Sequence, residues 1–251
     1  MIVWREKLVA TAIHFLVTLA LAACAAALIF LVWFPDPFQT MLGGTELFVL
    51  VVGCDLVLGP LISLVIYNSR KSRGKLVFDY TVIGALQLAA LAYGVFILAG
   101  TRPVYVAFSA DRLEVVTARD ISDTELAAAR DPAYRSLPLT GPQLVSIDVP
   151  AADHNDALFQ SLAGNEEHMR PRFYVRYEGK LADIRKRAKT VEKLETKLPA
   201  SKPLVDAAIA RLKIPPERVR WLGVHNRKGF WTALIDFDDG KPIAYLDIDP
   251  Y

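Results

Sequence analysis

Cysteine is nearly absent from this chain. There are two, Cys24 and Cys54, and both lie in apolar stretches, so residues 100–251 contain none. That part can form no disulfide and needs none, and cysteine usage is silent on its redox compartment. An excess of one charge is also missing. Twenty-nine Lys and Arg stand against 27 Asp and Glu, and a net charge of +2 gives no electrostatic footprint for a nucleic-acid partner. Nor is there a glycine-rich phosphate loop, a Gly-x-Ser-x-Gly elbow, a His-Glu-x-x-His pair or a paired-cysteine metal motif. The residues argue for no enzyme, no catalytic constellation, no cofactor, no metal and no small-molecule substrate.

Charge is scarce in one part of the chain only. Residues 1–99 hold six Lys or Arg and five Asp or Glu, whereas residues 100–251 hold 23 and 22. A 53% hydrophobic composition and a mean hydropathy of +0.29 fit such a charge content only if the apolar residues are segregated. Residues 1–99 therefore read as a transmembrane region, and residues 100–251 as a water-exposed domain large enough to bury its own core.

Three apolar runs reach the roughly 20 residues that a bilayer crossing takes. They cover about 8–34, 47–67 and 80–98. Each ends in a stop: Pro35-Asp36-Pro37, Asn68-Ser69-Arg70-Lys71 and Gly100-Thr101-Arg102-Pro103. Arg5 and Lys7 precede the first run, the 35–46 connector has no Lys or Arg, and the next connector carries Arg70, Lys71, Arg73 and Lys75. Positive loops stay cytoplasmic, so the N-terminus and the basic connector are expected inside. An odd number of spans then puts residues 100–251 outside the cytoplasm, which in a bacterium with two membranes is the periplasm. The basic cluster determines topology and can also meet anionic lipid head groups. Leu21-Ala22-Ala23-Cys24 also resembles a lipidation signal, but residues 25–34 stay wholly apolar where a polar tether is expected.

Asp55 is the oddest residue of the membrane part. It lies in Gly53-Cys54-Asp55-Leu56-Val57-Leu58-Gly59-Pro60, where Gly53 and Gly59 permit close approach and Pro60 frees a carbonyl one turn earlier. Three readings are open: a hydrogen bond inside the bundle to His14 or Gln87, a docking point for a partner's helix, or part of a proton or ion path. Three spans with one acidic residue make a poor transporter. His14 and Gln87 read as bundle glue before they read as ligands.

The remainder reads as an α+β domain with antiparallel strands. Strands are expected at 104–108 and 113–117 as a hairpin, then at 143–149, 173–177, 220–224, 229–237 and 242–248, with Asp239-Gly240 turning the last hairpin. Ser122-Asp123-Thr124-Glu125 is a capping-box pattern for a helix to about Arg130, with further helices at 153–163, 181–198 and 203–212. Asp236, Asp238, Asp239 and Asp247 miss the spacing of a calcium loop. His154, His168 and His225 are dispersed. Arg185, Lys186, Arg187 and Lys189 form a basic helical face, either solvated or a partner surface.

Several stretches together make the chain similar to the type IV pilin accessory family, the TfpX/TfpZ group of bacterial inner-membrane proteins. They are Trp33-Phe34-Pro35-Asp36-Pro37-Phe38, the run from Gly53 to Leu61, the run from Leu86 to Val95, Arg102-Pro103-Val104, Asp111-Arg112, and the run from Gly229 through Gly240-Lys241-Pro242 to Tyr251. The likeness covers essentially the whole chain in order. It departs at Cys54, where an aliphatic residue is expected, and at Tyr251, where tryptophan is expected. The resemblance implies a non-enzymatic helper of the major type IV pilin that acts at the inner membrane, stabilising subunits or tuning how many become surface fibre. The partner helix would dock near Asp55, Gly53, Gly59, Pro60 and Gln87, and the outer domain would touch the pilin head. The competing readings are a membrane-tethered periplasmic hydrolase or transferase, marked by His154, Asp156 and a serine in one cleft, and a sensor or structural membrane protein with no pilin partner.

Overall fold

The computed structural model describes residues 2–67 and 71–251. Arg70 and the 68–70 part of the second stop lie outside the described residues. The chain divides into two compact units, Met1–Thr101 and Arg102–Tyr251.

The first unit is helical. Helix α1 (Ile2–Ala26) continues into a seven-residue π-helix, Ala27–Trp33, and the wider turn shows in the Phe34 N–H, which donates to Ile29 O at 2.8 Å. Pro35, with no N–H to give, ends it. A single turn, α2 (Phe38–Met41), leads to α3 (Gly44–Ile66), and α4 (Arg73–Thr101) follows. Three helices, Trp4–Trp33, Gly44–Ile66 and Arg73–Thr101, are long and apolar enough to cross a membrane. Their outward faces are apolar: Leu31 is 80% exposed, Val65 79% and Phe96 70%. Surface of that kind is stable against hydrocarbon and unstable in water. Ile29, Phe34 and Leu98 form a small buried core, and the Phe30 and Phe48 rings meet edge to face at 5.0 Å.

Two boundaries differ from expectation. Arg73 and Lys75 lie in the first turn of α4 rather than in a loop, because the helix starts one turn early on the Ser72 carbonyl, which accepts from Leu76 N at 3.1 Å. At the other end α4 runs through Gly100 and Thr101, and stops only where Pro103 follows.

The second unit is built on one sheet. Its strands are β1 (Pro103–Ser109), β2 (Arg112–Thr117), β3 (Gln143–Ile147), β4 (Tyr174–Arg176), β5 (Lys189–Thr190), β6 (Val219–Asn226), β7 (Gly229–Asp236) and β8 (Pro242–Leu246). The order is β4-β3-β1-β2-β6-β7-β8, with β5 added beside β6. The hairpins β1–β2 and β6–β7–β8 are antiparallel as expected. The sheet as a whole is mixed, which corrects the purely antiparallel expectation: β3 runs parallel to β1, and β6 parallel to β2. Parallel pairing needs a crossover of a dozen or more residues, and the long segments after β2 supply it.

The helices of this unit are α5 (Asp123–Ala127), α6 (His154–Leu162), α7 (Leu181–Arg187), α8 (Val191–Lys197) and α9 (Lys202–Ile209). The single helix expected over 181–198 is broken. Ala188 leaves helical geometry (ψ 132°), and Lys189–Thr190 pairs with Trp221 and Arg220 of β6. Thr190 O takes the Trp221 indole N–H at 2.9 Å, and the Lys189 ammonium sits 4.7 Å over that ring. The apolar stripe continues across the break: Ile184 and Leu194 are both fully buried. Sheet pairing therefore overrides a helical periodicity that was genuine on both sides.

Two apolar clusters among the described residues pack on this sheet. In one, Tyr105, Tyr134 and Tyr174 meet edge to face, with centroids 5.0 to 6.2 Å apart. Burial, reinforced by Tyr134, pushes the Tyr105 hydroxyl up to about 12. The other packs Leu194 and Val205 on Trp221 and Leu234.

Candidate partner-docking site in the membrane helices

The polar residues singled out in the spans are brought together by α1, α3 and α4. Asp55 stands eleven residues into α3, about 16 Å from its start and near the middle of the span. His14 Nε2 and Gln87 Oε1 lie 2.7 Å apart, and Gln87 Nε2 donates to the main-chain carbonyl of Asp55 at 3.3 Å. Gln87 is thus the bridge between three helices. Gly59 makes room for it: a Cβ there would run into the Gln87 amide. Gly53 differs, since nothing lies within 4 Å of its missing Cβ. Pro60 sits inside α3 and takes one N–H out of the helical ladder. One turn on, Ser63 Oγ meets Tyr80 OH at 2.7 Å, and the Tyr80 ring stands edge-on to His14 at 6.0 Å.

The Asp55 side chain takes no part in this network. Among the described residues its carboxylate has no hydrogen bond and no ion pair, although a link to His14 or Gln87 was one expected role. Those two side chains are committed to each other. The carboxylate lines a pocket of about 130 Å3 together with His14, Thr18 and Gln87. His14 Nδ1 is buried without a partner. A charged group at the centre of a span costs about 3 kcal/mol, so the arrangement is incomplete as it stands. Thr18 and Gly84, which also line the pocket, carry no sequence signal of their own.

The basic connector is partly neutralised: Lys71 Nζ pairs with Asp79 Oδ2 at 2.7 Å, whereas Arg73 and Lys75 are exposed.

In the sheet unit the other candidates are engaged locally. His154 Nε2 bonds Val149 O at 2.9 Å, while Asp156 accepts from Arg170 at 2.6 Å, which holds its carboxyl below the usual range. His225 Nδ1 meets Glu114 Oε2 at 2.8 Å. Arg218 clamps Asp236 through two nitrogens, at 3.2 and 2.6 Å, and reaches Asp238 at 2.8 Å. Arg185 caps the same turn by donating to Phe237 O at 2.9 Å and to Asp238 O. The acidic hairpin is thus tied by arginine, and no group of three or more His, Cys, Asp or Glu among the described residues is placed to hold a metal. One feature lay outside any sequence motif. Arg170, 2% exposed, is packed between Asp156 and Glu125, and Arg172 chelates Glu125 at 3.0 and 3.2 Å.

A family model described as fimbrial assembly protein FimB matches residues 2–43. Over its length the chain is similar to the fimbrial assembly protein of serogroup I from Dichelobacter nodosus, with 33% identity over 228 residues, 89% of this chain and 88% of the relative. The serogroup E1 protein of that organism matches at 32% over the same shares, and that of serogroups C1 and C2 at 38% over 117 residues, 47% of this chain. No solved structure matches. A match of 228 residues is longer than either unit, so the likeness takes in helices and sheet together. The chain belongs to the FimB family of fimbrial assembly proteins.

Proposed function

We propose that this protein is a non-enzymatic accessory of type IV pilus assembly in the bacterial inner membrane, akin to the TfpX/TfpZ pilin accessory group. It would hold the major pilin through its spans and through a periplasmic sheet domain. The observation that carries the reading is the kinship with fimbrial assembly proteins over 89% of the chain, which takes in the helical unit and the sheet unit together. The loop charges support the orientation, with Arg5, Lys7 and the basic connector inside and the 35–46 side, which has no Lys or Arg, outside. The incomplete polar site at Asp55 and the open face at Gly53 support helix docking on α3. A subunit awaiting assembly exposes both a greasy helix and a folded head, and a chaperone-like partner with a surface for each shields both.

The test is deletion of the gene, with total pilin and sheared surface pili measured separately at unchanged pilin transcript. A change in either quantity, restored by the gene in trans, supports the assignment. Wild-type values of both would overturn it. Cysteines placed along α3 should crosslink to pilin, and self-crosslinks alone would remove the docking part.

A further inference from the structure

We propose that the pocket beside Asp55 receives one cationic or hydrogen-bond-donating group carried at the same depth by a partner's transmembrane helix. The inference rests on the pilin reading above and adds the recognition chemistry. Five observations converge on it.

The carboxylate has no partner among the described residues, while His14 Nε2 and Gln87 Oε1, on the same pocket, are bonded to each other. His14 Nδ1, buried on the same pocket, is also unpartnered. No counter-charge is at hand within the chain: residues 8–69 contain no Lys or Arg, and α4 has none after Lys75. Charge complementarity must therefore come from another molecule. The size is also selective. At about 130 Å3 the pocket has room for roughly four waters, or one side-chain head group, and falls well below the 300–1,000 Å3 of small-molecule sites. Finally, its rim belongs to the lipid-facing surface, since Val17, Leu21 and Leu88 line it and are each about half exposed. Only a group already in the bilayer reaches it, and an acyl chain has no donor to offer. That leaves a helix bearing a donor.

Full-length protein in native membranes, carrying a photo-crosslinking phenylalanine analogue at position 88, tests this beside the variants Asp55→Leu and Asp55→Glu. Wild type and Asp55→Glu should give a pilin adduct within threefold of each other, and Asp55→Leu should lose it at least tenfold. In detergent Asp55→Leu should melt at or above the wild-type temperature, because it removes a carboxylate that nothing in the bundle satisfies. An undiminished adduct in Asp55→Leu would overturn the donor chemistry and leave helix docking intact. A fall in melting temperature alongside adduct loss would make Asp55 internal glue and overturn the proposal. An adduct with lipid or with a second copy only would do the same. Absence of pilin from every crosslinker position along α3 would instead remove the reading beneath it.

Discussion

The Gln87 amide occupies the space where a side chain on Gly59 would stand. From there it bonds the His14 ring and the main chain of Asp55, so one residue on α4 ties α1 to α3. Gly59→Ala should push the amide out and break both links. Overpacking of this kind costs about 1–3 kcal/mol. Gln87→Ala in the same chain should recover part of it by emptying the contested space. Gly53→Ala should leave the bundle unchanged, since its missing Cβ faces open space. Thermal unfolding of the three variants in detergent decides the matter, and equal losses at Gly53 and Gly59 would contradict it.

Glu125 anchors a buried ionic cluster. Its carboxylate receives Arg172 through two nitrogens and lies 3.6 Å from the buried Arg170. Glu125→Gln leaves that guanidinium with Asp156 as its remaining anion. Breaking a buried pair in this way should cost about 3 kcal/mol. Arg130→Ala removes the exposed Arg130–Asp153 pair and should cost at most about 0.5 kcal/mol. Hydrogen exchange at β3 and β4 in the full-length protein reads both values.

Acid should loosen the sheet domain in a defined window. Burial pushes the Asp236 carboxyl up, but the Asp238 N–H and the Arg218 guanidinium outweigh it, so the group sits below the usual carboxylate range. A carboxylate lowered by folding contributes stability that is complete above its unfolded value near 4 and fades as pH falls through the folded value. Asp156 titrates in the same sense through its hydrogen bond from Arg170. The domain should therefore hold at neutral pH and weaken below about pH 4. Arg218→Gln should lower stability at neutral pH and shrink the acid-dependent part of it. An acid titration followed by circular dichroism that shows no difference between the two proteins would count against the clamp.

The orientation can be read with reporters fused after Tyr251. Alkaline phosphatase there should be active and a cytosol-dependent fluorescent protein dark. The reverse pattern would place the sheet domain inside the cell and end the proposed contact with pilin heads.

Much of this architecture is legible in the residues because long-range choices do not enter it. The spans follow from the scarcity of charge in residues 1–99 and from length alone. The β7–β8 turn follows from Asp239-Gly240, where Gly240 takes φ 70°. What escaped was set by partners distant in sequence. Alternating strands do not say which neighbour they will choose, so the parallel pairings were hidden. The stripe from Ile184 to Leu198 has helical spacing throughout, and only the presence of β6 breaks it at Lys189. Ser122 does accept from Glu125 N at 3.3 Å, but the Glu125 carboxylate turns to Arg172 instead of back along the helix, and α5 ends three residues before the expected Arg130. In the membrane, sequence could name Asp55, His14 and Gln87 but not which two would join.

The parallel contact of Arg112–Glu114 with Gly223–His225 has a consequence for biosynthesis. The central hairpin can pair as soon as its own residues are delivered, yet its second neighbour is more than a hundred residues downstream. Closure of so large a loop is slow, and it cannot begin until nearly all of the chain has been delivered. During that interval the outer edge of β2 stands bare, open to strand addition and to proteases. A nonsense product lacking β6 to β8 should be cleared from the envelope, whereas a point change at the same strands should leave a full-length, slow-maturing protein.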